Sequence, residues 1–243
     1  MTTVSHQNTR ARTALPRLCV AIDTTHLDEA ENLAKSLAKL EGVGIKLGLA
    51  FYAAHGPQGV RRVAGELPLF LDLKFHDIPN TVHGAVRAAA SNMRPSILTV
   101  HASGAADMLR AARDAANEAA DRPRVVAVSV LTSMDSKDLA AVGQDSDMST
   151  QSLRLAGLVK EQGLDGVVCS GHEVAAIRKL MGPDSTLIVP GIRPSGSDRG
   201  DQKRTLTPRE AFERGASSIV IGRPITRNSN PSEAAAAILA ELV

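Results

Sequence analysis

Short apolar runs alternate with longer amphipathic stretches along most of this chain. The apolar runs are rich in Val, Ile and Leu and are nearly continuous, which is typical of parallel strands covered on both faces. Eight of them are predicted as strands: Leu18–Asp23, Val43–Leu49, Leu69–Lys74, Ile97–His101, Arg124–Val130, Asp165–Ser170, Thr186–Pro190 and Ser218–Gly222.

Helical patterns lie between these strands. They include Asp28–Leu40, Thr81–Asn92, Ala105–Ala119, Gln151–Gln162 and Glu173–Leu180. Two late helices begin at Thr207-Pro208-Arg209-Glu210 and Asn230-Pro231-Ser232-Glu233. Each of these starts offers a capping residue, then a proline at the first helical position, then a glutamate at the third.

Strands that are each followed by a helix predict an α/β fold, and eight such units predict a single-domain (β/α)8 TIM barrel over residues 17–243. An open doubly wound sheet is the alternative, but no Gly-x-Gly-x-x-Gly follows the first strand. Residues 1–16 are polar and are predicted to be a disordered tail. An organelle-targeting segment is less well supported there, because the stretch is short and has no apolar face.

Two connections are long, Ser133–Thr150 after the fifth strand and Arg193–Leu206 after the seventh. Long polar loops in compact folds are often binding loops or lids. In a barrel of this type, the loops at the carboxyl ends of the strands carry the active site. Both connections are therefore predicted to border a ligand site.

Composition narrows the function classes. The 28 basic and 26 acidic residues give a net charge of +2 with no dense basic block, and only 2% of residues are aromatic, so nucleic-acid binding is not predicted. No apolar run reaches the length of a membrane span. Cys19 and Cys169 lie in apolar runs and are predicted to be buried free thiols, which fits a reducing compartment and a cytoplasmic location.

The third predicted strand ends in an unusual charged sequence. Asp72 and Lys74 close it, and Asp77 follows just beyond. Side chains two positions apart on a strand share a face, so Asp72 and Lys74 are predicted to point together. Charges at the end of an apolar strand are costly to desolvate unless they have a partner or a task.

Polar residues also collect at the ends of the other strands. They are Asp23, Lys46, His101, Ser129, Thr132, Arg193, and Arg223 after Gly222. The loops after the seventh and eighth strands form the usual phosphate site of such barrels, and each supplies a glycine and an arginine here. Because all of these residues are predicted to lie at the carboxyl end of one barrel, they predict a site there for an anionic, phosphorylated ligand.

Neither a metal site nor a cofactor site is predicted. The carboxylates are interleaved with lysines, which repel cations, and neither His-x-x-x-His nor Cys-x-x-Cys occurs. No Ser or Cys has a histidine partner in its sequence context that would indicate a nucleophile. His76 and His101 are assigned no role.

Four motifs give the chain a family resemblance. They are Asp72-Leu73-Lys74-Phe75-His76-Asp77-Ile78-Pro79-Asn80-Thr81, Gly191-Ile192-Arg193-Pro194, Gly200-Asp201-Gln202 and Ile221-Gly222-Arg223-Pro224-Ile225-Thr226. In this order they resemble the signatures of the orotidine 5′-phosphate decarboxylase family, from about Leu18 to Val243. The resemblance implies a homodimeric barrel that converts orotidine 5′-phosphate to uridine 5′-phosphate and carbon dioxide without any cofactor, as the last step of de novo pyrimidine synthesis.

The resemblance also implies residue roles. The catalytic set is Lys46, Asp72, Lys74 and Asp77, in which Lys74 protonates C6 of the pyrimidine and Asp77 comes from the partner subunit. Asp23 and Lys46 hold ribose hydroxyls, joined by Thr81 of the partner subunit. The remaining substrate-binding residues are Ser129 and Thr132 near the base, and Pro190, Arg193, Gln202, Gly222 and Arg223 around the phosphate loop.

Two alternatives stay open. An enzyme like 3-keto-gulonate 6-phosphate decarboxylase shares the barrel and the Asp-x-Lys pattern, but its chemistry needs magnesium, and Asp77 with the Ile-Pro-Asn-Thr sequence after it disfavours this reading. The second alternative is a non-catalytic nucleotide-binding scaffold. It is disfavoured because a lysine between two aspartates is costly to desolvate, and binding alone does not require that arrangement.

Overall fold

The computed structural model describes residues 14–194 and 206–242. Eight parallel strands form a closed barrel in chain order, and the last pairs with the first. They are β1 (Leu18–Ala21), β2 (Val43–Gly48), β3 (Leu69–Phe75), β4 (Ile97–His101), β5 (Arg124–Val128), β6 (Gly166–Val168), β7 (Thr186–Pro190) and β8 (Ser218–Ile221). The predicted (β/α)8 barrel is confirmed, and β4 and β7 have their predicted bounds.

Helices follow the strands and cover the barrel. They are α1 (Leu27–Leu37), α2 (Leu49–Ala64), α3 (Pro79–Met93), α4 (Ala105–Glu118), α5 (Ser136–Ala141), α6 (Met148–Glu161), α7 (Val174–Met181), α8 (Pro208–Glu213), α9 (Arg223–Thr226) and α10 (Pro231–Ala240). A 3₁₀ turn over Ala102–Gly104 precedes α4.

The predicted starts of α8 and α10 are confirmed by their hydrogen bonds. The Thr207 hydroxyl accepts from the Glu210 amide at 3.3 Å, and the Glu210 carboxylate accepts from the Thr207 amide at 2.8 Å. The Asn230 side chain accepts from the Glu233 amide at 3.3 Å. These bonds satisfy amides that a helix leaves without internal partners, and proline sits where no amide donor is needed.

Three helices, α2, α5 and the four-residue α9, were not among those predicted. Helix α2 contains Gly56 at φ 57° and ψ −164°, so its regular geometry breaks before Pro57 and resumes after it. The Gly-Pro pair reads in sequence as a turn, which conceals the helix. Helix α5 lies inside the connection predicted as a loop over Ser133–Thr150, and it begins with a capping box between Asp135 and Asp138.

Side chains on each strand divide between two apolar layers. Alternate residues such as Leu18, Val20 and Ile22 pack outward in the large core beneath the helices. A smaller cluster fills the barrel interior and consists of Cys19, Ala21, Phe70, Ile97, Val126, Ile188 and Val220. Because Asp72 follows Phe70 by two positions, its side chain lies on the interior face, at the carboxyl end of the barrel.

The two cysteines are buried and unpaired with each other, as predicted. Burial raises the pKa of each thiol to about 12, so both stay protonated at neutral pH. Within residues 14–194 and 206–242, no helix combines the length and apolar character that crossing a bilayer requires. Most of the predicted tail, residues 1–13, lies outside the described residues.

Candidate active site

Asp72 is the centre of a charged cluster at the carboxyl end of the barrel. Its Oδ2 atom accepts a hydrogen bond from Lys74 Nζ at 2.8 Å and lies 3.4 Å from Lys46 Nζ. Lys46 Nζ also lies 3.4 Å from Asp23 Oδ1. The structure therefore brings together four predicted site residues from the ends of three neighbouring strands, and it places cations and anions in alternation.

The charge state of Asp72 follows from two opposing effects. Burial raises its pKa, because a desolvated carboxylate is unfavourable. The charges of Lys46 and Lys74 act against this, and hydrogen bonds from Lys74 and Thr99 add to them. The lysines and hydrogen bonds win, so the pKa of Asp72 lies below its ordinary value and the carboxylate is ionised at neutral pH.

Lys74 stands on an irregular backbone. Its φ of 50° is in the left-handed region, which a residue with a side chain rarely adopts. In the pairing of β3 with β4, Leu71 faces Leu98 and Phe75 faces Val100, so three residues of β3 lie opposite the single residue Thr99. The predicted approach of Lys74 to Asp72 is confirmed, but it comes from this bulge rather than from simple strand alternation.

Thr99 is a member of the charged cluster's hydrogen-bond network that the sequence analysis missed. It is fully buried on β4, and its hydroxyl donates to Asp72 Oδ1 at 3.0 Å and accepts from the Lys74 amide at 2.9 Å. A threonine within an apolar strand looks like an ordinary strand-forming residue. Only the irregular register of β3 against β4 gives it these partners, and no sequence signal indicated that register.

A cavity of about 280 Å³ opens beside the charged cluster. Lys46, Asp72 and Lys74 line one part of it, and the rest is mainly apolar, with Val128, Val130, Leu131 and Val168, together with Thr132 and Pro190. An apolar pocket with a few convergent polar groups is the usual form of a small-molecule site. Thr132 and Pro190 thus share this cavity with the charged cluster, and their predicted contacts with a substrate stay predictions.

A larger depression of about 440 Å³ lies between α1 and α2. Its charged residues include Glu31, Lys35 and Arg62, which pair with one another across the helix surfaces. A third depression, beside α2, has about 680 Å³, so volume alone does not identify the ligand site. The cavity at the barrel mouth is the better candidate for two reasons. It contains a buried carboxylate that stays ionised, Asp72, and its neighbour Lys74 has a left-handed backbone.

Ser129 is buried one residue beyond β5. Its hydroxyl donates to the Val168 carbonyl on β6 at 3.1 Å, and its amide donates to the same carbonyl at 3.1 Å. The side chain thus braces two strands beside the cavity, whose lining includes its neighbours Val128 and Val130. The predicted contact of Ser129 with a base stays a prediction.

The residues predicted for phosphate binding lie at the ends of β7 and β8. Arg193 is buried and its Nη1 donates to the Ile192 carbonyl at 2.9 Å. Gly222 precedes α9, and a Cβ placed on it would lie 3.5 Å from Ala21 Cβ, at the end of β1. Arg223 is exposed at the first position of α9. Gln202 lies outside the described residues.

Asp77 and Thr81 do not join the cluster from within their own chain. Both are exposed at the start of α3, and Asp77 Oδ1 accepts from the Ile78 amide at 2.6 Å. In the part of the chain that the structure describes, Asp77 forms no ion pair with a lysine. Their predicted placement in the site of a neighbouring subunit stays a prediction.

The two histidines without a predicted role lie next to the cluster. The rings of His76 and His101 are 5.6 Å apart between centroids. Burial lowers the pKa of His101, and the charges of His76 and Lys74 lower it further against the opposing effect of Asp72. Among residues 14–194 and 206–242, no group of three or more His, Cys, Asp or Glu side chains is arranged to hold a metal ion.

Comparisons with known proteins identify the family of this chain. The profile of the family described as "Orotidine 5'-phosphate decarboxylase / HUMPS family" matches residues 16–238. The chain is 51% identical to the orotidine 5′-phosphate decarboxylases of Rhodospirillum rubrum and Paramagnetospirillum magneticum, over 92% of its own length in both cases and 93% and 97% of theirs.

A solved structure shows the same architecture. The crystal structure of orotidine 5′-phosphate decarboxylase from Lactobacillus acidophilus superposes with a TM-score of 0.82 at 33% identity, over 93% of this chain and 99% of that one. The resemblance carried by the four motifs is thereby confirmed. The chain belongs to the orotidine 5′-phosphate decarboxylase / HUMPS family.

Proposed function

We propose that this chain decarboxylates orotidine 5′-phosphate to uridine 5′-phosphate and carbon dioxide, without metal or organic cofactor, as the last step of de novo pyrimidine synthesis. Relatives about half identical over nearly the whole chain carry that name. The single observation that carries the proposal is the contact of Lys74 Nζ with the ionised Asp72 at 2.8 Å, on the wall of a largely apolar cavity. That arrangement offers an ammonium group to a carbon that develops negative charge.

The proposed step conserves atoms and charge. The bond between C6 and the substrate carboxylate breaks, its electron pair stays on C6, and neutral carbon dioxide leaves. Lys74 Nζ stabilises the developing carbanion electrostatically and transfers a proton to C6, and the resulting amine regains a proton from water. Asp72 repels the substrate carboxylate until carbon dioxide departs, but preorganised stabilisation by the ammonium is the larger effect in this proposal.

Substrate binding is divided along the barrel mouth. Asp23 and Lys46 hold the ribose hydroxyls, and Ser129 and Thr132 lie near the base. The phosphate is bound by the closing phosphate loop and its surroundings at the ends of β7 and β8, through Pro190, Arg193, Gln202, Gly222 and Arg223. Because the phosphate lies far from C6, its binding energy can drive closure of the phosphate loop over the base and raise kcat.

The proposal includes a homodimer in the cytoplasm. Asp77 of the partner subunit extends the alternation of charges beside Lys74, and Thr81 of the partner subunit reaches the ribose. The exposure of both residues at the start of α3 and the absence of an Asp77–lysine pair within the described chain support this assignment. One barrel alone would leave the site with three of its four catalytic residues.

The direct test mixes purified protein with orotidine 5′-phosphate and follows the absorbance of the pyrimidine, with and without exhaustive chelation. We expect turnover to uridine 5′-phosphate that chelation leaves unchanged. If turnover is absent, or is seen only with 3-keto-gulonate 6-phosphate and magnesium, the proposed function is wrong and the related sugar-phosphate chemistry takes its place.

The shared site can be tested by mixing two inactive subunits. Lys74→Ala and Asp77→Ala chains are co-expressed with different tags, and the hybrid dimer is isolated. One of its two sites then carries both substitutions and the other carries neither, so we expect about half of the wild-type turnover per dimer. A hybrid as inactive as its parents would place Asp77 in the site of its own chain.

A further inference from the structure

Thr99 is the one residue of β4 that lies opposite three residues of β3, and its side chain bridges two of them. We infer that Thr99 is a positioning residue, which fixes the Asp72 carboxylate and the Lys74 backbone in one hydrogen-bonded unit and so sets where the Lys74 ammonium meets the substrate. The effect on turnover rests on the proposed function, whereas the hydrogen-bonded unit can be tested without substrate.

The direction of both hydrogen bonds follows from chemistry alone. The backbone amide of Lys74 can only donate, so the Thr99 hydroxyl is its acceptor at 2.9 Å. The hydroxyl proton is then available for the ionised Asp72, whose Oδ1 accepts it at 3.0 Å. A hydroxyl is the smallest group that can accept and donate at once, and valine, which has the same shape, can do neither.

The backbone of Lys74 explains why this bridge is needed. Where β3 bulges, the ladder of hydrogen bonds to β4 is interrupted between Leu71 and Phe75, and Lys74 adopts φ 50°. Left-handed geometry is unfavourable for a residue with a side chain, and it persists only where the surroundings hold it. The Thr99 hydroxyl supplies the partner that the Lys74 amide has lost from the ladder.

The same bridge orients the carboxylate. Asp72 accepts from Thr99 through Oδ1 and from Lys74 Nζ through Oδ2, so the two bonds hold both oxygens of the carboxyl group. Because Thr99 is fully buried, bulk water does not reach the hydroxyl to replace it. Removing the hydroxyl frees the carboxylate to rotate, and the ammonium that it holds moves with it. Small misplacements of a catalytic group are costly in rate.

The first experiment compares Thr99→Val with Thr99→Ser in steady-state kinetics. We expect Thr99→Val to lower kcat roughly 10- to 100-fold, because an amide and a carboxylate lose their partner. KM should change less than kcat, since the phosphate contacts lie elsewhere. Thr99→Ser keeps the hydroxyl and should restore kcat to within about threefold of the wild type. A kcat for Thr99→Val within twofold of the wild type would overturn the inference.

Thr186→Val is the matched control. Thr186 is a buried threonine at the amino end of β7, so the same substitution removes a hydroxyl from the opposite end of the barrel. We expect kcat to stay at the wild-type value. An equal loss of kcat in both valine variants would show a general effect of buried hydroxyl loss and refute the positioning role. If Thr99→Val does not fold, Thr99→Ala against Thr99→Ser decides, and equal kcat in that pair refutes it.

A second measurement needs no turnover. The ¹³C signal of the Asp72 carboxyl is followed during an acid titration of the wild type and of Thr99→Val. The Thr99 hydrogen bond lowers the pKa of Asp72, so the variant should titrate at higher pH than the wild type. Identical titrations would refute the hydrogen-bonded unit. A wild type that titrates as expected but never turns over orotidine 5′-phosphate would refute only the proposed function.

Discussion

The two ends of the barrel use charged side chains in opposite ways. At the amino end, the guanidinium of Arg178 donates from all three nitrogens to neutral acceptors, at 2.7–3.0 Å. These acceptors are the carbonyls of Gly182, Pro183, Ser185 and Gly215 and the hydroxyl of Ser217. At the carboxyl end, Lys46 and Lys74 converge on Asp72 beside an open cavity.

The two ends differ in how much of the charged group remains accessible to a ligand. Arg178 ties the end of α7 to the segments that lead into β7 and β8, and its planar group is fully engaged by fixed backbone atoms. Within the described residues Lys74 pairs with one carboxylate, that of Asp72, and it keeps 28% of its side chain exposed and stands on a left-handed backbone. The first arrangement stabilises the fold, whereas the second keeps a charged group ready for a ligand. Substitutions at the two ends should therefore separate stability from rate.

The largest expected effect is on rate, at the carboxyl end. Lys74→Ala removes the proposed proton donor, and we expect kcat to fall by at least roughly 10⁴-fold while nucleotide monophosphate binding largely survives. Turnover and ligand titration measure the two quantities. A variant with wild-type kcat would remove Lys74 from the mechanism.

Lys74→Gly is the matched control for this substitution. Glycine tolerates φ 50°, so Lys74→Gly should be as inactive as Lys74→Ala but more stable by about 1 kcal/mol in chemical unfolding. Equal free energies of unfolding in the two variants would show that the left-handed backbone at this position carries no strain.

A smaller loss of rate is expected at the end of β8. Arg223→Ala should lower kcat/KM by about 10²- to 10³-fold, because a guanidinium contact with the substrate phosphate is lost. Millimolar guanidinium ion should restore part of the activity by occupying the vacated space, whereas tetramethylammonium should not. Equal responses to both cations would argue against a hydrogen-bonded phosphate contact.

At the amino end we expect a loss of stability instead. Arg178→Ala removes a shared donor from several partly buried carbonyls and should lower the free energy of unfolding by about 1–3 kcal/mol. Arg178→Lys should recover only part of this, because an ammonium cannot reproduce the planar fork. The kcat of the folded fraction should match the wild type at a temperature where the variant is folded. A reduced kcat there would contradict the separation between the two ends.

The sequence predicted the barrel well because each unit is specified locally. Continuous apolar runs gave all eight strands, and the capping signals gave the starts of α8 and α10. Strand alternation also placed Asp72 on the interior face. The carboxyl ends of some strands were predicted too long; β6, for example, ends at Val168 rather than Ser170. The residues after Val168 continue the strand-like sequence pattern, but the pairing of β6 with β7 ends at Val168 and Ile188.

The bridge at Thr99 could not be predicted in the same way. It depends on the register between β3 and β4, which a bulge shifts after Leu71. Neither residue type nor spacing within one strand reports such a shift, because it is a property of two strands together. Helix α2 was missed for a different reason, since Gly56 and Pro57 carry the local signal of a turn while packing keeps the chain helical on both sides.

The smallest expected effect concerns His101, which lies beside the charged cluster. Burial, His76 and Lys74 hold its pKa below the ordinary 6.5, against the pull of Asp72. Above that pH the ring is neutral in both folded and unfolded chains. Below it, the unfolded chain binds the proton more readily, so the free energy of unfolding falls as the pH is lowered. His101→Asn should flatten this decline in urea unfolding between pH 7 and about 5. If the free energy of unfolding of variant and wild type changes with pH in parallel, the prediction is wrong. The surroundings of His101 would then not disfavour its protonated form.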